Sequence, residues 1–155
     1  MAQTDDNKLY NPEFLQHGYI QVYTGNGKGK TTASLGLAMR ALGRGWKVLI
    51  VMFTKGGNDY GELIFFSTLC PELKDKVKIV QAGLDRIVYS TNMSADDSKQ
   101  IQKGWEIAKK AIQNDEYQLI ILDEANIALD LNLIDLNEMI CLLYTSPSPR
   151  DPKTS

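Results

Sequence analysis

The residues with the clearest chemical potential are Gly25-Asn26-Gly27-Lys28-Gly29-Lys30-Thr31-Thr32, which combine three alternating glycines, two lysines and two hydroxyls. They follow a β-forming run, Gly18 to Tyr23, and open a segment of helix formers. A strand–loop–helix junction of this kind is where a phosphate-binding loop works. Glycine takes positive φ without strain and lets the backbone approach an anion closely. Successive N–H groups then converge at the positive end of the following helix. In that setting Lys30 neutralises phosphate oxygens, and the Thr31 hydroxyl offers the hard oxygen that Mg²⁺ prefers. The spacing departs from the generic G-x-x-x-x-G-K-[ST] pattern, because Thr24 holds the first-glycine position and Gly25 comes one residue late. The competing reading is a tight turn with a solvated lysine. Gly-Lys-Thr-Thr after three alternating glycines favours the phosphate loop.

A second set lies about 90 residues further on, where Leu119-Ile120-Ile121-Leu122 runs straight into Asp123 and Glu124. A buried strand that delivers carboxylates at its end is how phosphate-loop proteins hold Mg²⁺ or position water. The bland alternative is a strand end with a solvated acidic pair. A third set, Thr54 to Glu62, is a polar glycine-rich loop that follows an apolar strand. Loops at the carboxyl ends of strands form the ligand crevice of open α/β sheets. Lys55 and Glu62 are therefore site candidates, with a solvated loop lysine and a helix-start glutamate as the ordinary alternatives.

The elements that must position these residues alternate. Strands are expected near 19–23, 47–53, 76–81 and 118–122, and helices over about 30–44, 62–69 and 94–113. Gly43 and Gly45 stop the first helix. Ser94-Ala95-Asp96-Asp97 resembles a capping box, and Ile101, Trp105, Ala108 and Ile112 fall on one helical face. Trp105 is read as core. A loop over 82–93 contains Arg86 and Tyr89. This alternation with apolar strands predicts an α/β fold, three-layer αβα, with a mostly parallel sheet and right-handed crossovers.

Composition narrows the functional classes. The 155 residues suit one domain, and 43% hydrophobic with 23% charged content is that of a globular chain. A net charge of −2 and the lack of a basic stripe argue against nucleic acid as a partner. No apolar run reaches the length of a membrane span, and the polar start shows no signal-peptide core, so a cytoplasmic setting is expected. Cys70 and Cys141 are read as small hydrophobes in a reducing compartment, and the single His17 excludes a histidine-based metal cluster.

With these motifs together, the chain resembles the ATP:corrinoid adenosyltransferase family. The resemblance rests on Tyr23-Thr24-Gly25-Asn26-Gly27-Lys28-Gly29-Lys30-Thr31-Thr32-Ala33, Arg40-Ala41-Leu42-Gly43-Arg44-Gly45, Phe53-Thr54-Lys55-Gly56 with Gly61-Glu62, and Leu122-Asp123-Glu124-Ala125-Asn126-Ile127-Ala128-Leu129. It accounts for the late glycine. What it implies is a RecA-like phosphate-loop fold that alkylates rather than hydrolyses: reduced cob(I)alamin attacks the 5′-carbon of ATP and expels triphosphate. On that reading Thr24 to Thr32 cradle the leaving group, with Lys30 and Glu124 as catalytic residues. Thr31 and Glu124, with Asp123 beside them, hold Mg²⁺ or Mn²⁺, and Arg40 and Glu62 fall near the nucleotide. A corrinoid co-substrate and a reductase supplying cobalt(I) are implied partners, and a homodimer is compatible.

Two stretches depart from the family pattern. After the third strand Gly83-Leu84-Asp85-Arg86-Ile87-Val88-Tyr89 is mostly non-aromatic, which leaves corrinoid contacts unassigned. Beyond Ile140 the family continues through a helix, an Arg-Pro turn and another strand, whereas here Pro147, Pro149 and Pro152 forbid regular structure. The expected organisation is an N-terminal arm over 1–17, a truncated domain over 18–140 and a foreign-looking tail over 141–155. A missing core strand would leave an unpaired sheet edge, marginal folding and weak or absent activity. Two rival functions share the motifs: a generic phosphate-loop ATPase or kinase, and a nucleotide-binding fragment without chemistry.

Overall fold

Val48-Leu49-Ile50-Val51-Met52 has no polar side chain at any position, so either face of a strand built from it must be covered. The computed structural model describes residues 18–57, 59–69, 71–83 and 93–145, and there this run is β1 (Val48–Met52), buried at all five positions. It is the centre of a three-stranded parallel sheet in the order β2-β1-β3, with β2 at Val77–Gln81 and β3 at Leu119–Asp123. Val48 is in register with both Val77 and Leu119, and Met52 with both Gln81 and Asp123. All three strands therefore release their loops at one end of the sheet.

The alternating side chains of β1 divide the core into two layers. Leu49 and Val51, with Phe53 just past the strand, pack against α3 (Ala95–Gln113), α4 (Ala125–Asp130) and α5 (Leu136–Thr145). Val48, Ile50 and Met52 pack on the other face against Ala38, Ala41 and Leu42 of α1 (Lys30–Gly43), together with Phe66. A three-layer αβα architecture results, as the alternating pattern predicts. Phe66 belongs to a π-helical turn, Phe65–Leu69, that continues the short helix α2 (Gly61–Ile64).

Several expectations hold in detail. The Ser94 side chain accepts from the Asp97 N–H while the Asp97 carboxylate accepts from the Ser94 N–H, so the capping box starts α3. Ile101, Trp105 and Ala108 are buried on one face of that helix. Gly104 lies between them, and a Cβ there would meet the Ala82 Cβ at 2.4 Å. Glycine at that position lets α3 lie directly on the sheet.

The strand expected over 19–23 does not form. Residues 18–23 have no ladder partner, and Tyr19 and Val22 are 79% and 72% exposed. β-propensity expresses a fit to a packed neighbouring strand rather than a backbone preference, so an alternating run without a neighbour stays irregular. The helix α5 runs through position 141 to Thr145 with Leu142 buried, and so crosses the boundary expected at Ile140. His17, Arg86 and Tyr89, the N-terminal arm and the proline-rich segment lie outside the described residues.

Candidate functional site

The common strand end gathers side chains from three stretches. Because Met52 and Asp123 are in register and the Phe53 N–H donates to the Asp123 carbonyl at 3.1 Å, Thr54 and Lys55 leave β1 beside Asp123 and Glu124. The N-terminus of α1 reaches the same place. Thr31 Oγ1 lies 3.1 and 3.2 Å from the two carboxylate oxygens of Asp123 and donates there. Lys55 Nζ donates to Asp123 Oδ2 at 2.8 Å and to Thr31 Oγ1 at 3.1 Å. Three residues distant in sequence thus close a triangle around one buried carboxylate, which is only 8% exposed.

Glu124 stands next to this triangle and accepts a hydrogen bond from the Thr54 hydroxyl. Its backbone is left-handed, φ 60°, and it caps α4. A non-glycine residue in that region carries strain of roughly 1–3 kcal/mol, and such strain tends to gather at functional sites. Burial pushes the Glu124 carboxyl above the usual range; the Lys55 charge opposes that, and Asp123 adds to it. For Lys55 burial acts to lower the pKa, but the Asp123 hydrogen bond and the charges of Asp123, Glu124 and Glu62 outweigh it and hold the ammonium above its ordinary value.

The glycine-rich loop is exposed and folded around its own lysine. Lys30 Nζ donates to the carbonyls of Gly25 at 2.6 Å and Gly27 at 2.7 Å. Gly25 and Gly29 take φ of 119° and 102°, which only glycine adopts without strain, and Gly29 caps α1. Thr24, Asn26, Lys28 and Thr32 are exposed around the same turn. Glu62, at the start of α2, is near enough to act on the Lys55 charge. Arg40 is exposed in the last turn of α1, roughly 14 Å along the axis from Thr31 at 1.5 Å per residue, and stays outside the cluster.

Two further residues enter the sequence reading only as members of longer stretches, with no role of their own. Thr54 holds Glu124, and a hydroxyl in a loop carries no signal of that role. Gly83 packs on the loop after β1, where a Cβ would fall 2.4 Å from the Thr54 carbonyl carbon and 2.5 Å from the Lys55 nitrogen. Its only signal is a glycine two residues past a strand end.

The donors suit a hard divalent cation: a hydroxyl and carboxylates, with a cationic ammonium already seated against two of them. Among the described residues no group of three His, Cys, Asp or Glu side chains is placed to hold a metal by itself. Mg²⁺ is commonly held by one or two protein oxygens, with phosphate oxygens and water completing its shell. The residues fit that pattern.

A parallel sheet with helices on both faces, with a glycine loop and a strand-end acid at one end, defines an α/β protein. The family model described as ATP:corrinoid adenosyltransferase BtuR/CobO/CobP matches residues 16–151, and the chain belongs to that family. It is 30% identical over 133 residues to a corrinoid adenosyltransferase of Pseudomonas aeruginosa, covering 86% of this chain and 63% of that protein. The Escherichia coli K12 corrinoid adenosyltransferase is 31% identical over 132 residues, 85% of this chain and 64% of the relative. An uncharacterized Nostoc protein, all2391, is 39% identical over 141 residues, 87% of this chain but 37% of its own length. The chain therefore spans less than two thirds of the length of these curated relatives. Among the described residues, no helix is long and apolar enough to cross a membrane.

Proposed function

We propose that the chain carries a site that transfers the 5′-deoxyadenosyl group of ATP to the cobalt of a reduced corrinoid and releases triphosphate. The observation that carries this reading is the meeting of Thr31, Lys55 and Asp123 beside the glycine loop, within the stretch that matches the family. Cobalt(I) supplies the electron pair for the new Co–C5′ bond while the C5′–O5′ bond breaks and its pair departs with triphosphate. Cobalt ends two electrons more oxidised, and no proton changes hands at the reacting carbon. A general base is unnecessary, in keeping with a cluster made of cations and metal-type oxygens.

The protein's task is then to hold a polyanion and stabilise the charge that grows on its bridging oxygen. Lys30 and the loop from Thr24 to Thr32 would bind the triphosphate. Thr31, Asp123 and Glu124 would hold Mg²⁺ or Mn²⁺, which supplies charge neutralisation on the leaving group. Lys55 adds a further positive charge, and the Thr54 hydrogen bond fixes Glu124. The reading brings with it a corrinoid co-substrate, a reductase that delivers cobalt(I), a cytoplasmic setting and a homodimer as the assembly to examine.

Anaerobic incubation with ATP, Mg²⁺ and chemically reduced cobalamin tests it, with cobalt–carbon bond formation followed by absorbance and the phosphate product identified. Adenosylcobalamin with stoichiometric triphosphate is the expected result. Orthophosphate without a corrinoid product would replace this reading with an ordinary ATPase. ATP binding without turnover in any assay would leave a nucleotide-binding module.

A further inference from the structure

Lys55 makes the same contacts that a divalent cation would need. Its ammonium donates to Asp123 Oδ2 at 2.8 Å and to Thr31 Oγ1 at 3.1 Å, while the Thr31 proton is directed to the Asp123 carboxylate. Those lone pairs are the ones that Thr31 and Asp123 would offer to a metal, whose oxygen ligands lie at about 2.0–2.1 Å for Mg²⁺. An ammonium and a divalent cation would then be forced to within a few ångströms of each other in a half-buried site, where two positive charges repel strongly. They cannot share it. The backbone of Lys55 is fixed by Gly83, which packs against the Thr54–Lys55 peptide, but its side chain is long and flexible. Lys55 is thus free to move its charge without moving its loop.

We propose that Lys55 is a displaceable counter-ion that couples metal entry to triphosphate binding, resting on the metal–triphosphate reading of the same cluster given above. The ammonium holds the Thr31–Asp123 pair together and resists a free divalent ion. When the cation arrives with a triphosphate, the polyanion offers the ammonium a better partner, and Lys55 leaves the carboxylate for phosphate oxygens. The metal and nucleotide then each raise the other's affinity, by the same factor in both directions. Lys55 acts as a positioning residue before nucleotide binds and as a phosphate ligand afterwards.

The test uses Mn²⁺ as the probe on the full chain with and without ATP, with free ion measured by electron paramagnetic resonance and the Mn²⁺ taken up by ATP alone measured in protein-free samples and subtracted. The unaltered protein is expected to bind Mn²⁺ weakly alone and at least about tenfold more tightly with ATP, within the usual range of coupling between sites. Lys55→Gln keeps a donor to Asp123 but removes the charge. It should bind Mn²⁺ alone about tenfold more tightly, bind ATP more weakly in the presence of Mn²⁺, and so lose most of the coupling. Lys55→Met serves as a second variant should the first fail to fold. Lys47→Gln, which removes one exposed charge at the opposite end of β1, should leave the affinity for Mn²⁺ alone nearly unchanged. An equal gain in that control would overturn direct displacement in favour of general charge. Unchanged or weaker Mn²⁺ binding by the Lys55 variants, in a protein that binds ATP with Mn²⁺, would overturn the role of Lys55 alone. No Mn²⁺-dependent ATP binding by the unaltered protein would overturn the reading of the cluster itself.

Discussion

At the scale of single residues, Lys30 does two things with one ammonium. Its bonds to the Gly25 and Gly27 carbonyls brace the exposed loop, and its charge is then presented from the centre of the turn. A lysine has three donors, so one remains for a phosphate oxygen while the loop stays folded. Lys30→Ala is expected to weaken triphosphate binding by about 1.5–3 kcal/mol, the scale of hydrogen bonds to charged groups. The melting temperature should move little, because Lys30 is exposed and supports no part of the core. Titration calorimetry with ATP beside a thermal melt checks both halves. An unchanged ATP affinity would remove the loop from the binding site.

At the scale of elements, two contacts decide how the helices and loops sit around the site. The Trp105 indole N–H on α3 donates to Glu138 of α5 at 2.7 Å, and Lys109 donates to the other Glu138 oxygen at 2.7 Å. Trp105 is 1% exposed, so Glu138→Ala strands a buried donor and should cost about 1–3 kcal/mol in a denaturant melt. The Lys109 and Trp105 hydrogen bonds hold the Glu138 carboxyl below its ordinary value of 4.5. A lowered carboxylate pKa stabilises fully above the unfolded value and is lost as pH falls through the folded one. The deficit of Glu138→Ala should therefore be larger at about pH 7 than at about pH 3, and a pH-independent deficit would remove the charged clamp. Gly83 acts where β1 releases its loop. Gly83→Ala drives a Cβ into the Thr54–Lys55 backbone, which must shift, at a cost of roughly 1–3 kcal/mol for overpacking. Melting and ATP affinity should fall together; parent-like values for both would show that the loop yields freely. Neither contact is visible in a one-dimensional pattern, because each depends on how closely two distant elements approach. The Ser94–Asp97 cap and the burial of β1 were legible, because the residues that decide them are neighbours in sequence.

At the scale of the whole molecule, the sheet order explains both what was legible in the sequence and what was not. The meeting of Lys55, Asp123 and Glu124 at one strand end was readable because each follows an apolar run, and parallel strands release their loops at one end. The run from Tyr19 to Tyr23 has the same alternation of β-formers as a real strand. Its fate depends on a neighbour that local sequence does not specify. β3 pairs with β1 on one side, and among the described residues no strand pairs with its other edge. Hydrogen exchange separates the two cases. The β1 amides, buried between two ladders, should open only with global unfolding, whereas residues 19–23 carry exposed, unpaired backbone. Peptides covering 48–52 are expected to exchange at least about a thousandfold more slowly than those covering 19–23. Comparable protection in both would mean that Tyr19 to Tyr23 has joined an edge of the sheet. The glycine loop would then start from a fixed strand, and triphosphate would bind to a loop anchored at both ends rather than only at α1.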